Sequence, residues 1–241
     1  MELKLEDLAY QREAIDAVVR LFDGQPRNTF DMACRQGVRS NVLTIPTAQI
    51  RENLLGAIEA SGIDEETASL DDALDFCIEM ETGTGKTLVY LKTAYELYRQ
   101  YAFTKFIILV PSVAIKEGVL STFDVFKRQL ADVYGFSPAC IEYDSKRLNR
   151  VTGFVEEQHP QIMVMTLQSF NAEDRILNQA QREDLFFNMP FIDAIARTRP
   201  IIIMDEPQEG MDTENAVARI DALQPLCRLR YSRHTRSCGI S

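Results

Sequence analysis

The sequence predicts an α/β fold in which a mostly parallel sheet carries helices on both faces. Continuous apolar runs at residues 106–110, 162–165 and 201–204 are typical of strands that are buried on both sides. Longer stretches with helical spacing separate these runs, as expected when crossover helices connect parallel strands. Ligands of such sheets bind at the carboxyl ends of the strands, so the residues after each run are the first candidates for a site.

The composition is that of a globular domain with its own core. The 241 residues are 46% apolar and 26% charged, which excludes a wholly disordered or collagen-like chain. The net charge of −10 excludes a protein that coats nucleic acid with its whole surface, but it leaves room for a local cationic track. No apolar run reaches the roughly 18 residues of a membrane-spanning helix, and the charged first ten residues do not resemble a secretory signal. We therefore expect a cytoplasmic protein.

Cysteine and histidine are arranged without the spacing of a zinc site. None of the five cysteines forms a CxxC pair, and the two histidines, His159 and His234, are isolated. Because zinc sites need several such ligands at short spacing, the sequence predicts none.

The first 75 residues are predicted to form an N-terminal helical region. Residues 10–22 and 47–60 carry apolar side chains at helical spacing, so we expect two helices there. Residues 23–42 contain Gly, Pro and Asn and have no clear period, which favours a loop. Residues 61–75 are acidic and are expected to be exposed.

From residue 76 onward, strands and helices are predicted to alternate. Weaker strands at residues 76–80 and 140–143 join the three apolar runs. Helices are expected up to about residue 101, over residues 113–130 and over residues 171–188.

A glycine-rich segment, residues 82–87 (TGTGKT), lies between the strand predicted at residues 76–80 and the helix behind it. Small residues let several backbone N–H groups face one anion, and the helix start adds its dipole. In such a loop Lys86 reaches the β- and γ-phosphates and the Thr87 hydroxyl ligates Mg²⁺. Met80 stands where the general pattern has glycine, a position that helicase-like loops relax. The candidate nucleotide ligands are Thr82, Gly83, Thr84, Gly85, Lys86 and Thr87.

An acidic pair, Asp205 and Glu206, follows the apolar run at residues 201–204. Carboxylate oxygens suit Mg²⁺, so Asp205 is the second candidate metal ligand beside Thr87. Glu206 is the candidate base that orients and deprotonates the attacking water. With Lys86, these two residues form the predicted catalytic set of a site for Mg²⁺-dependent phosphoryl transfer.

Five stretches carry a family resemblance: IEMETGTGKTLVYLKTAYEL, KFIILVPSVAIKEGV, YDSKRLNRV, IMVMTLQSF and IIIMDEPQ. Together they resemble the first RecA-like motor domain of superfamily 2 helicases. More narrowly, they are similar to the Res subunit of type III restriction–modification enzymes, over about residues 5–231. The resemblance implies a RecA-like P-loop NTPase domain at residues 76–232 with ATP and Mg²⁺ as cofactors.

The resemblance also implies roles for residues outside the glycine-rich segment at residues 82–87, called the phosphate loop below. Gln11, in LAYQREAI, would recognise adenine, and Gln208 would couple the nucleotide state to the rest of the motor. Small hydroxyl groups and N–H groups at helix starts suit contacts with phosphate backbones. The implied nucleic-acid contacts are Pro111, Ser112, Thr166 and Gln168. Lys105 and Lys116 could add positive charge there, although we expect both to be solvated.

Partners and further domains follow from the same resemblance. Res subunits act on double-stranded DNA together with a modification (methyltransferase) subunit. They contain a second motor domain, which supplies arginine fingers, and a nuclease domain, and neither is in these 241 residues. The family continues Ser232 into Ala-Thr, whereas Arg233 and His234 follow here. We therefore expect residues 233–241 to be an aberrant, disordered tail that follows a frameshift or truncation, and we expect slow ATP hydrolysis without DNA cleavage or translocation.

Other functions stay open at the level of the sequence. One alternative is a different superfamily 2 helicase or translocase. Another is a non-catalytic nucleotide-binding or DNA-binding fragment, which the unusual tail favours. A kinase or small GTPase is disfavoured, because the sequence has no guanine-reading NKxD motif.

Overall fold

A six-stranded parallel sheet forms the centre of the computed structural model, which describes residues 8–35, 37–62, 74–81, 83–144, 148–169 and 190–233. In chain order the strands are β1 (Cys34–Arg35), β2 (Val38–Arg39), β3 (Asp75–Glu79), β4 (Lys105–Val110), β5 (Ala139–Glu142), β6 (Gln161–Thr166), β7 (Ile201–Asp205) and β8 (Cys227–Ser232). The large sheet has the order β3-β8-β7-β4-β6-β5, and each neighbouring pair is parallel. Strands β1 and β2 form a separate antiparallel pair.

Helices cover both faces of this sheet, which confirms the predicted fold class. They are α1 (Ala9–Arg20), α2 (Phe30–Ala33), α3 (Thr47–Ser61), α4 (Lys86–Tyr101), α5 (Val113–Tyr134), α6 (Leu148–Glu156), α7 (Phe191–Arg197) and α8 (Glu214–Ala222). Side chains that alternate along each strand enter opposite cores. Ile108 belongs to the core that includes residues of α1, α3, α4 and α5, whereas Ile107 belongs to the core that includes residues of α6, α7 and α8. The helix predicted at residues 171–188 lies outside the described residues.

Strand β8 is the strand of the large sheet that the apolar pattern does not predict. Leu229 and Tyr231 are buried in the core, but arginines alternate with them. Arg230 donates Nε and Nη2 to the two carboxylate oxygens of Asp75, at 2.7 and 2.8 Å, and Nη1 to Asp212 at 2.6 Å. Arg228 contacts Asp75 at 3.4 Å and also pairs with Asp221. These acidic partners allow a strand with charged side chains to lie inside the sheet.

The segment at residues 23–42, predicted as a loop, contains α2 and the β1–β2 pair, so that prediction is wrong in part. Buried amide side chains hold this segment in place. Asn28 exchanges two hydrogen bonds with the backbone of Val42, at 2.8 and 2.9 Å. Asn41, which has 0% exposure, bonds to four backbone groups of Thr104, Lys105 and Arg199. Because buried polar side chains hold this segment, its sequence lacks the periodic apolar residues from which helices and strands are predicted.

Lys105 begins β4 at the amino edge of the sheet and is fully buried, so the expectation of a solvated lysine is wrong. Its Nζ donates to the carbonyl of Glu157 at 2.5 Å and lies 5.6 Å from the ring centre of Phe154. Burial and the nearby charge of Arg39 lower the pKa of Lys105 to about 7. Lys105 therefore supports the core and does not belong to a nucleic-acid track.

We expect Lys105→Met to stabilise the protein most below about pH 7, where Lys105 is charged in both the folded and the unfolded chain. The pKa of Lys105 is lower in the folded chain than in the unfolded chain, so the unfolded state binds more protons between about pH 7 and 10.5. The contribution of Lys105 to wild-type stability therefore rises with pH in this window and is constant below it. The advantage of Lys105→Met should shrink by about 1 kcal/mol per pH unit from pH 7 to 9.5 in thermal unfolding. Lys127→Met, at an exposed position of α5, is the control, and a pH-independent difference for Lys105→Met would contradict the expectation.

Among the described residues, no helix combines the length and apolar character needed to cross a bilayer.

Candidate nucleotide-binding site

The phosphate loop connects β3 to α4 at the carboxyl edge of the sheet. Gly83 and Gly85 both have φ of +80°, a conformation that side chains disfavour, and Gly85 caps the start of α4. A Cβ atom on Gly85 would lie 2.8 Å from Nε2 of Gln11. Glycine is therefore favoured at this position by backbone conformation, and a larger residue would also displace the amide group of Gln11. Thr82, which the sequence also assigns to the loop, lies outside the described residues.

The acidic pair lies close to the phosphate loop, because β8 alone separates β3 from β7 in the sheet. Lys86 forms an ion pair with Glu206 Oε1, and its Nζ lies 3.3 Å from the carbonyl oxygen of Met80. Gln208 donates to the other oxygen of Glu206 at 2.6 Å. The structure thus brings Lys86, Glu206 and Gln208 together. Glu206 has φ of +50°, so its backbone is held in an unfavourable conformation.

Asp205 is 6% exposed and ends β7 beside the helix that carries Lys86. Tyr90, on α4, donates its hydroxyl to Asp205 Oδ2 at 3.4 Å and is also hydrogen-bonded to Thr87. One phenol therefore links the two predicted metal ligands. Burial raises the pKa of Asp205 to about 6, the charge of Glu206 adds to this, and Lys86 opposes it. A buried carboxyl group of this kind would gain from a bound cation.

Glu206 differs from Asp205 in the direction in which its pKa is shifted. Partial burial favours its neutral form, but the hydrogen bonds from Lys86 and Gln208 outweigh burial and lower the pKa of Glu206. Two adjacent carboxyl groups with pKa values moved in opposite directions are suited to different tasks in one site. Within the described ranges, no group of three or more His, Cys, Asp or Glu residues could hold a metal ion.

Gln11, assigned through the resemblance, lies against the phosphate loop. Its Nε2 donates to the carbonyl of Thr84 at 2.8 Å, and the hydroxyl of Tyr10 donates to the same carbonyl at 3.1 Å. Gln11 is 4% exposed, and its Oε1 is buried without a hydrogen-bond partner. A cavity of about 420 Å³ adjoins this contact. It is lined by Tyr10, Ala14, Glu79, Met80, Glu81 and Thr84.

The predicted nucleic-acid contacts follow β4 and β6, which are neighbours in the sheet. Gln168 donates to the carbonyl of Pro111 at 3.4 Å, so these two segments meet. Ser112 caps α5 by accepting a bond from the backbone of Ile115. Thr166 is buried and shares a hydrogen bond of 2.9 Å with Ser169, so its hydroxyl is engaged inside the protein.

Lys116, the other lysine expected to be solvated, has a side chain that is 12% exposed. It forms an ion pair with Glu142, at the end of β5. The expectation is wrong for this residue as well, because the carboxylate of Glu142 compensates its burial.

Two residues outside the predicted site motifs, Tyr90 and Arg233, contact the acidic pair. Tyr90 follows Lys86 by four positions and so shares its helix face, which is a signal that the sequence contained. Arg233 directly follows β8, at the start of the expected tail, and its Nε lies 3.3 Å from Glu206 Oε1. No local pattern marks that contact. Residues 234–241 lie outside the described part of the chain.

Comparisons with known proteins agree with the motifs. A family model described as type III restriction enzyme, res subunit, matches residues 4–232. The Res subunits of EcoPI from Escherichia phage P1 and of EcoP15I from Escherichia coli are 26% and 28% identical over 94% of this chain. That of StyLTI from Salmonella typhimurium is 26% identical over 96% of the chain. The chain spans 25%, 25% and 22% of these relatives, respectively.

Among solved structures, the UvsW helicase from bacteriophage T4 matches 70% of this chain and 50% of its own, with 15% identity and a TM-score of 0.39.

Proposed function

Because the chain belongs to the family of type III restriction enzyme Res subunits, we propose that it is an ATP-binding motor domain. In the longer proteins of the family, such a domain would drive ATP-dependent translocation on DNA and DNA cleavage. The chain spans about a quarter of its curated relatives, so these whole-protein activities are part of the proposal. The observation that carries it is the ion pair between Lys86 of the phosphate loop and Glu206 of the acidic pair.

The residues present fit Mg-ATP. Gly83 and Gly85 leave the loop backbone open, and the unpartnered Oε1 of Gln11 could accept a hydrogen bond from an adenine amino group. Thr87 and the buried Asp205 would hold Mg²⁺, with further ligands from phosphate and water. Bound Mg²⁺ would neutralise phosphate charge during transfer of the terminal phosphoryl group to water.

The chain's own residues then have separate tasks. Lys86 would exchange its contact with Glu206 for contacts with phosphate oxygens. Glu206, released from Lys86, would orient the attacking water and accept its proton at a carboxylate oxygen. Tyr90 would keep Asp205 and Thr87 in place, since it contacts both. Gln208 would continue to restrain Glu206 through its bond to Oε2.

Double-stranded DNA is the proposed track, and a modification (methyltransferase) subunit is the proposed partner. The exposed Gln168, with Pro111 and Ser112, lies at the carboxyl edge of the sheet and would contact the DNA backbone. Such contacts position a protein on DNA without reading its sequence. The recognition sequence would then depend on the partner.

We expect Mg-ATP to raise the melting temperature of the chain by about 3–8 °C at ten- to hundredfold excess over Kd. Lys86→Ala should remove most of this shift, and so should chelation of Mg²⁺ by EDTA. Differential scanning fluorimetry is the measurement. Lys127→Ala on α5 is the control and should keep the full shift. The proposal is wrong if millimolar Mg-ATP has no effect on the wild-type chain, or if the shift persists in Lys86→Ala.

A further inference from the structure

Arg233 is a cation beside the proposed catalytic base that no role yet accounts for. Its Nε lies 3.3 Å from Glu206 Oε1, and its Nη2 lies 3.9 Å from Glu209. The side chain is 47% exposed, whereas that of Glu206 is 13% exposed. Arg233 therefore reaches from solvent into the site and can move without disturbing the core.

The backbone before Arg233 is fixed between the two halves of the site. The carbonyl of Ser232 accepts a hydrogen bond of 2.9 Å from the N–H of Met80, which leads into the phosphate loop. The carbonyl of Tyr231 accepts one of 2.9 Å from the N–H of Glu206. The guanidinium group thus starts from a fixed position beside both the loop and the acidic pair.

Glu206 Oε1 is shared by two cations, because Lys86 contacts the same oxygen as Arg233. Two positive charges on one carboxylate oxygen repel each other and are incompletely neutralised by it. A polyphosphate would supply the missing negative charge. The planar fork of a guanidinium group matches phosphate oxygens well, and such charge-assisted hydrogen bonds are strong.

We propose that Arg233 is a ligand of the terminal phosphate of ATP. Arg233 contacts Glu206 in the structure and would turn to the γ-phosphate when ATP binds. The γ-phosphate is the group that Glu206 faces in the proposed function, on which this inference rests. The family resemblance has alanine at this position, so the contact would be particular to this chain. It would make the site favour ATP over ADP.

Isothermal titration of the full chain with Mg-ATP and with Mg-ADP tests this role. Arg233→Ala should weaken ATP binding about tenfold and ADP binding less than twofold, because ADP lacks the phosphate in question. Arg233→Lys should recover part of the ATP affinity. Arg128→Ala, at an exposed position of α5, is the matched control and should bind both nucleotides as the wild type does.

A second variant separates the phosphate contact from the resting ion pairs. Glu209→Gln removes one resting partner of Arg233 and should leave ATP binding unchanged or strengthen it. If Arg233→Ala binds ATP as the wild type does, or loses ATP and ADP affinity equally while its melting temperature is preserved, the inference is overturned and the proposed function stands. If the wild-type chain binds neither nucleotide, the proposed function fails, and the inference fails with it.

Discussion

Replacing Glu206 with glutamine is expected to slow hydrolysis of bound ATP by about 10²–10⁴-fold while ATP binding is retained. Glutamine keeps the shape of the side chain, and its carbonyl oxygen can still accept a hydrogen bond from Lys86. Its amide nitrogen replaces the oxygen that accepts from Gln208. Its amide cannot take a proton from water at neutral pH. The loss should therefore fall on the chemical step and spare the binding of nucleotide.

A single-turnover assay with protein in excess over radiolabelled ATP measures that step directly. Glu214→Gln, at an exposed position in the first turn of α8, is the control and should hydrolyse ATP at the wild-type rate. A rate for Glu206→Gln within threefold of the wild type would show that another group activates the water. A lost melting-temperature shift with ATP would instead assign Glu206 to nucleotide binding.

Asn41→Ala is expected to destabilise the protein by about 3–4 kcal/mol, or roughly 10 °C in melting temperature. Asn41 Oδ1 accepts from the backbone N–H groups of Thr104 and Lys105, at 2.7 and 3.2 Å. Its Nδ2 donates to the carbonyls of Lys105 and Arg199, at 2.8 and 3.1 Å. Alanine would leave these backbone groups without their partner in a dry environment, which costs more than a lost exposed hydrogen bond.

Thermal and urea unfolding of the variant would give this value. Asn215→Ala, at an exposed position of α8, is the control and should change stability by less than about 0.5 kcal/mol. A loss below 1 kcal/mol for Asn41→Ala would mean that water replaces the amide, and that the segment around β1 and β2 is held by other contacts.

Much of the sheet could be predicted because strands that are buried on both faces consist of consecutive apolar residues. Strands β4, β6 and β7 are buried along their whole length and are correspondingly apolar. The phosphate loop could also be predicted, since Gly83 and Gly85 adopt a positive φ that residues with side chains disfavour. The ion pair of Lys86 with Glu206 follows from where these two segments leave the sheet.

The remaining structure depends on polar groups whose partners are distant in the chain. Arg230 in β8 and Asn41 near β2 interrupt any apolar period, yet each is satisfied by residues that only the fold brings near. Lysine is usually exposed at the protein surface, but Lys105 is fully buried in the core. A local sequence pattern gives the type of each residue, but it does not show which distant residue will form a hydrogen bond or ion pair with it in the folded chain.

The position of β3 at the edge of the sheet affects when the phosphate loop can be placed beside Glu206 during synthesis of the chain. In the described part of the chain, β3 pairs with β8 alone, and Asp75 and Arg228 are 153 positions apart. Contacts at such separation form late, because a long stretch of chain must be ordered first. On the ribosome, the strand that leads into the phosphate loop would wait unpaired until β8 emerges. A nascent chain that ends before β8 would therefore contain the complete phosphate loop and still lack the neighbouring strand that fixes it beside Glu206.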